Sequence, residues 1–228
     1  MSPLVATAGV HAAEEGPPTP ATAPRISDRC YLDMELNGKL LGRVVVGLWG
    51  EEAPTSVQTF AQLCGKTYPG GLSYAYSAMS KVFPNQLVVL GKITGDGTKK
   101  VDKKIDETGR VRVTYTDRAT YETANTDSPS TSHSSEGLVS VRRGGGTFEF
   151  GVTLQPMPDL DRDYIVIGQV LEGMDVIKRL SRVKYIPPED LREAFRSVAK
   201  AIGDPRASGG GDAYSPVAKV ITKNVGLL

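Results

Sequence analysis

Few side chains in this chain are suited to covalent or metal chemistry, and their spacing favours neither. The two cysteines, Cys30 and Cys64, fit no chelating pattern and no Cys-x-x-Cys redox pair. They read as two small buried residues, with a single disulfide as the alternative in an oxidising compartment. The two histidines, His11 and His133, lie in polar, loop-like sequence, so no histidine-based acid–base apparatus is expected. Nothing calls for a metal or a cofactor. What remains is surface cations. Lys99, Lys100, Lys103 and Lys104 fall in one polar stretch, and Arg142 and Arg143 open a glycine-rich turn that ends at Gly146. Such groups either stay solvated or dock an acidic surface.

The elements that position these groups follow from length and pattern. At 228 residues the chain suits one good-sized domain with tails. A net charge of +1 gives no general pull toward nucleic acid or an anionic membrane. No apolar run approaches the roughly 20 residues of a spanning helix. Residues 1–25 are rich in Ala, Pro and Thr and are expected to be a mobile tail. Within them Val10-His11-Ala12 is a small-x-small pattern followed by Ala13-Glu14-Glu15, as at a signal-peptidase site. The alternative is an ordinary Ala/Pro-rich tail.

Residues 26–228 are expected to form the domain. Cys30 to Leu36 alternates with a period of two, Asn37-Gly38 is a hairpin signal, and Leu41 to Trp49 returns. Pro54 opens a helix on which Val57, Phe60, Ala61 and Cys64 share a face, with Gly65 as the stop. Met79 to Val82 and Leu87 to Leu90 are short apolar runs around Phe83-Pro84-Asn85-Gln86. An insertion covers residues 94–136; Gly109 to Thr116 within it has the makings of an extra strand, and Thr126 to Ser135 reads as flexible. Gly137 to Val141, Phe148 to Thr153 and Tyr164 to Leu171 are three more strand-like runs separated by turn residues. Met174, Val176, Ile177 and Leu180 mark a second helix. Glu189 to Ile202 carries a stripe of Leu191, Phe195, Val198, Ala199 and Ile202 and reads as a third helix, and Val217 to Val225 as a last strand. Many short strands with Gly/Pro punctuation predict a mainly β, closed antiparallel sheet.

In this order, these phrases resemble the cyclophilins, the cyclophilin-type peptidyl-prolyl isomerases. The matching words are Tyr31-Leu32-Asp33-Met34, Leu41-Gly42-Arg43-Val44-Val45-Val46-Gly47-Leu48 and Ala53-Pro54 through Phe60 to Leu63-Cys64. Gly137-Leu138-Val139-Ser140, Phe148-Glu149-Phe150 and Val166-Ile167-Gly168 through Gly173-Met174-Asp175-Val176 complete them. The resemblance implies an eight-stranded antiparallel barrel capped by two helices. The added helix at Glu189 to Ile202, after Tyr185-Ile186-Pro187-Pro188, resembles a divergent chloroplast subgroup of the thylakoid lumen in plants and green algae.

The resemblance also implies a chemistry. Rotation about an X–Pro bond breaks amide resonance, a barrier of about 18–20 kcal/mol. The end states are nearly balanced, so a catalyst needs only to favour the twisted amide. In cyclophilins an apolar pocket grips the proline ring, an arginine approaches the prolyl nitrogen, and neighbouring polar side chains hold the backbone. Here the arginine position falls on Lys81, which keeps the charge without the planar fork. The pocket phenylalanine falls on Gln86 with Leu87 beside it, and the following glutamine on Val89. The Met-Ala-Asn loop becomes Val141-Arg142-Arg143, and Gln-Phe-Phe becomes Phe148-Glu149-Phe150, with Phe150 as the second pocket aromatic. Trp-Leu-Asp becomes Asp159-Leu160-Asp161, and the rim histidine becomes Tyr164.

The expected site is therefore Lys81 with Gln86, Leu87, Val89, Arg142, Arg143, Phe148, Phe150, Leu160 and Tyr164. Three functions are open: a binding module with weak or absent isomerase activity, serving as a chaperone or assembly factor for a photosynthetic membrane complex; a working isomerase acting through Lys81; or a structural subunit of a thylakoid complex. Proline-containing protein segments are the expected ligands, with no nucleic acid.

Overall fold

The computed structural model describes residues 24–93, 99–105, 111–117, 125–144, 148–187 and 213–228. The third helix expected at Glu189 to Ile202 and the tail before residue 24 lie outside the described residues. Eight strands form one antiparallel sheet: β1 (Asp28–Leu36), β2 (Lys39–Leu48), β3 (Lys81–Phe83), β4 (Leu87–Leu90), β7 (Leu138–Arg142), β8 (Phe150–Thr153), β9 (Tyr164–Glu172) and β10 (Val220–Leu227). Their order across the sheet is β10-β1-β2-β9-β7-β8-β4-β3. Between the two edges, residues 76–79 cross back to β10: Met79 N–H donates to Val220 O at 3.0 Å and Thr222 N–H to Ser77 O at 2.9 Å. The sheet is thereby curled on itself, with β3 brought round toward β10.

Two helices accompany the sheet, α1 (Pro54–Gly65) and α2 (Met174–Leu180). Pro54 sits in the first turn, where its missing N–H costs nothing. The helix ends at Gly65, and the left-handed cap is the next residue, Lys66 (φ 59°). Asn37 (φ 50°) and Gly38 (φ 84°) both have the positive φ that a tight two-residue hairpin turn requires.

One core fills the curled sheet. Leu32, Val46, Leu48 and Val139 from the strands meet Phe60 and Leu63 from α1 and Ile177 and Leu180 from α2. Cys30 and Cys64 are both buried in it, side by side and not joined by a disulfide. Burial pushes the Cys64 thiol up, and its neighbour Cys30 adds to the shift, so this is an inert thiol rather than a nucleophile. At the centre three rings pack together: Phe150 meets Phe60 and Tyr74 edge-on, with centroids 5.0 and 5.1 Å apart, and Phe60 and Tyr74 are tilted against each other at 5.0 Å.

The insertion is not one long loop. Lys99–Ile105 (β5) pairs with Val111–Asp117 (β6) in a separate two-stranded sheet, so the lysine cluster lies on a strand. Nor is Thr126 to Ser135 a free segment. Asp127 caps α1 across 71 residues of sequence, accepting from Ser56 N–H at 2.8 Å and Ser56 Oγ–H at 2.7 Å. Glu52 in turn accepts from Ser130 N–H at 2.8 Å. Losing a cap of this kind costs about 1 kcal/mol, so Asp127→Ala is expected to lower stability by that amount in denaturant unfolding. It should also raise amide exchange at Thr55 and Ser56.

A second polar clasp crosses β1, β2 and β10. Arg43 grips Asp33 with Nε–Oδ1 at 2.7 Å and a second guanidinium contact at 3.0 Å, and its charge lies 4.1 Å from the Tyr31 ring centroid. Asn224 adds a weaker bond at 3.4 Å. The hydrogen bond from Arg43, helped by Asn224, outweighs burial and holds the Asp33 carboxyl below the usual carboxylate range. A depressed folded-state pKa stabilises the protein above the unfolded value of about 3.9 and loses that contribution as pH falls through the folded one. Asp33→Asn is therefore expected to cost about 1–2 kcal/mol at pH 7. The deficit should vanish in acid, where urea titrations of the two proteins converge.

Candidate functional site

Register decides which residues share a face, because residues directly opposite each other in antiparallel strands point the same way and neighbours along a strand alternate. One row across β3, β4, β8 and β7 is Lys81–Val89–Gly151–Ser140, continued by Val166 on β9. The next row is Leu90–Phe150–Val141–Ile165. All four members of that second row belong to the core cluster, so it faces inward. The first row faces outward. Phe83, Leu87 and Thr153 join it by alternation, as do Arg142 and its partner Tyr164.

The outer face brings together Lys81, Leu87, Val89, Arg142 and Tyr164. Leu87 and Val89 are buried there, Lys81 and Tyr164 half-buried, and Arg142 and Gln86 exposed. Leu87 lies against Gly151: a Cβ on that glycine would stand 2.9 Å from Leu87 Cδ1 and 3.5 Å from Ser140 Oγ. The Ser140 hydroxyl beneath is buried with no hydrogen-bond partner among the described residues. Leu160 sits half-buried in a 3-10 turn at Pro158–Arg162, just before β9.

Two expected site residues are elsewhere. Phe150 is 1% exposed and faces the interior, stacked edge-on against Phe60 and Tyr74. It cannot line an outer pocket. Its neighbour Gly151 takes the outward position beside Val89. Phe148 is also buried in the core; its carbonyl accepts from the Tyr74 hydroxyl at 2.7 Å and its ring meets Tyr68 at 5.1 Å. Arg143 is not a free charge either. Its guanidinium donates to Asp127 O at 3.0 Å and its backbone N–H to Asp163 O at 2.8 Å, bracing the loop after β7 against the start of β9.

His133 is fully buried, although its sequence neighbours are polar. Its Nδ1 is 2.5 Å from Asp161 Oδ1, and its backbone N–H donates to the same oxygen at 2.8 Å. Its Nε2 has no partner among the described residues. Burial pushes the Asp161 carboxyl up, but the hydrogen bonds and charge interaction with His133 together carry it below the usual range. This pair fixes the turn that carries Leu160 to the residues around His133. A histidine in a Ser/Thr-rich run gives no periodic signal of burial, so only the tertiary contact reveals it.

On the outer face Leu87 and Val89 are only 4% and 8% exposed, so little apolar surface is offered there, and the exposed groups at its margin are Gln86 and Arg142. Position 81 carries no planar guanidinium, position 89 no amide and position 151 no side chain. Lys81 keeps a positive charge at its position without the planar fork of an arginine.

A curled eight-stranded antiparallel sheet with these two helices is consistent with the cyclophilin fold, and residues 31–194 match the family model for cyclophilin-type peptidyl-prolyl cis-trans isomerases. The chain belongs to the cyclophilin family. Its relatives include peptidyl-prolyl cis-trans isomerase D of Saccharomyces cerevisiae, 31% identical over 72% of this chain and 67% of that protein. They also include two proteins of Arabidopsis thaliana. Peptidyl-prolyl cis-trans isomerase CYP28, chloroplastic, is 28% identical over 84% of this chain and 76% of its own length. Peptidyl-prolyl cis-trans isomerase CYP26-2, chloroplastic, is 27% identical over 88% and 69%. No helix among the described residues is long and apolar enough to cross a membrane.

Proposed function

We propose that this chain is a cyclophilin-fold binding module with weak or absent prolyl isomerase activity, holding proline-containing segments of client proteins. The observation that carries this reading is the outer-face row itself, in which Gly151 stands between Val89 and Ser140 where a pocket needs a side chain. Leu160, half-buried in its turn, offers apolar contact, and Lys81 supplies charge without a fork, while Leu87 and Val89 are nearly covered. An interaction made equally with planar and twisted amides tightens binding without accelerating rotation.

The role we propose is that of a chaperone or assembly factor for proteins of a photosynthetic membrane complex, in the chloroplast and specifically the thylakoid lumen. The chloroplastic designation of the two Arabidopsis relatives supports the organelle. The small-x-small pattern ending at Ala12 and the sequence around Glu189 to Ile202 support the lumen. Affinity-tagged protein recovered from a fractionated chloroplast tests this. The proposal expects it in the lumen fraction and co-migrating with a membrane complex. A protein recovered from the stroma, or monomeric and unbound in the lumen, would contradict the role.

A further inference from the structure

On the β3 side of the molecule, Phe83, Tyr214 and Tyr185 form a row of rings. Phe83 and Tyr214 have centroids 4.6 Å apart, and Tyr214 and Tyr185 lie nearly parallel at 5.8 Å. All three are only partly buried. Backbone hydrogen bonds hold the row rigidly. Ile186 N–H donates to Ser215 O and Tyr214 N–H to Ile186 O, both at 2.9 Å, and Val217 N–H donates to Lys184 O at 2.8 Å. Val82 N–H donates to Tyr214 O at 2.8 Å, which fastens this clasp to the free edge of β3.

The last ring of the row opens on a cleft of about 380 Å³, lined by Pro84, Arg182, Lys184, Tyr185 and Pro187 among others. No carboxylate is among its described lining residues. Arg182 and Lys184 are exposed and make no ion pair among the described residues. Loop closure does not require aromatic side chains at the surface, nor two cations that pair with no carboxylate among the described residues. The combination has a binding logic. The face of Tyr185 at the open end of the row can pack against a proline ring of an extended chain, which arrives already ordered and loses little entropy. Unpaired cations at the mouth favour carboxylates and disfavour basic chains.

We infer that the Phe83–Tyr214–Tyr185 shelf and its cleft form a docking surface for an extended, acidic, proline-containing segment of a partner protein. This deepens the binding-module reading by naming the chemistry of the partner. It stands on residues other than those around Lys81 and Gly151, so it does not depend on whether that face catalyses isomerisation.

The test is fluorescence anisotropy with a short labelled peptide of alternating Glu and Pro, compared with the same peptide carrying Lys for Glu or Gly for Pro. The Glu-Pro peptide should bind, and more weakly as salt rises. The charge reversal Arg182→Glu with Lys184→Glu affects two exposed side chains and should leave folding intact while weakening binding about tenfold or more. Tyr185→Ala should weaken it as well. The Lys peptide should not bind, and the Gly peptide should bind less well than the Glu-Pro peptide. Absence of binding, equal binding by the charge-reversed protein, or equal binding of the Glu and Lys peptides would overturn the proposal. So would sedimentation showing a dimer that the charge reversal dissolves, since the occupant would then be a second copy of the chain. The readout is binding alone, so failure here and detection of isomerase turnover are separate results.

Discussion

Phe150→Ala is expected to lower the unfolding free energy by about 3–5 kcal/mol, the usual cost of removing a fully buried ring. The side chain meets Phe60 of α1 and Tyr74 at once, and it lies close against Gly91, where an added Cβ would fall 2.8 Å from its ring. Nothing can collapse into the space from the strand side, because Val141 and Leu90 flank it across the ladder and are themselves fixed. A domain of ordinary stability, about 5–15 kcal/mol, would lose a large part of its margin. Urea unfolding of the two proteins measures the difference. A loss below about 1 kcal/mol would mean that the ring is on the outer face.

Gly173→Ala is the second substitution with a large expected effect. Gly173 has φ 83° and sits at the N-cap of α2, immediately after β9. A methyl group there would overlap the carbonyl oxygen of Arg43 and stand 2.9 Å from Val44 Cα, which are backbone atoms of β2. The left-handed conformation alone costs an L-residue about 1–2 kcal/mol. The overlap adds the cost of shifting β9 off β2, because a strand held by neighbours on both sides cannot yield as a flexible side chain would. A total of about 3 kcal/mol or more is expected, read as a fall in the thermal midpoint. Gly38→Ala provides the control, since an added Cβ there has positive φ but meets nothing within 4 Å. Equal losses from the two substitutions would remove the packing argument.

Much of the fold is legible in the chain, for identifiable reasons. Asn37-Gly38, the alternation of Cys30 to Leu36 and the proline before the Val57, Phe60 and Cys64 stripe are local signals that tertiary structure does not override. The site is less legible, and Phe150 shows why. Side chains alternate along a strand, so an assignment displaced by one residue moves a side chain from the outer face to the core. The phrase Phe148-Glu149-Phe150-Gly151 offers two aromatics and a glycine, and no period within four residues says which faces out. Pairing with Val89 and Ser140 settles it for Gly151. Asp127 and His133 were hidden differently. Their partners, Ser56 and Asp161, are 71 and 28 residues away in sequence, beyond the reach of any local pattern. The β5–β6 hairpin was half visible as Gly109 to Thr116, whereas Lys99 to Ile105 reads as solvated because its lysines mask the strand.

The central proposal is that this cyclophilin scaffold binds proline-containing segments without the groups that favour a twisted amide. The most direct measurement is the cis-to-trans rate of a short Ala–Pro peptide with and without the purified protein, alongside Lys81→Ala. The account predicts little or no acceleration, even at high protein concentration, and no difference between the two proteins. A clear acceleration that Lys81→Ala abolishes would contradict it and make Lys81 the catalytic residue of a working isomerase.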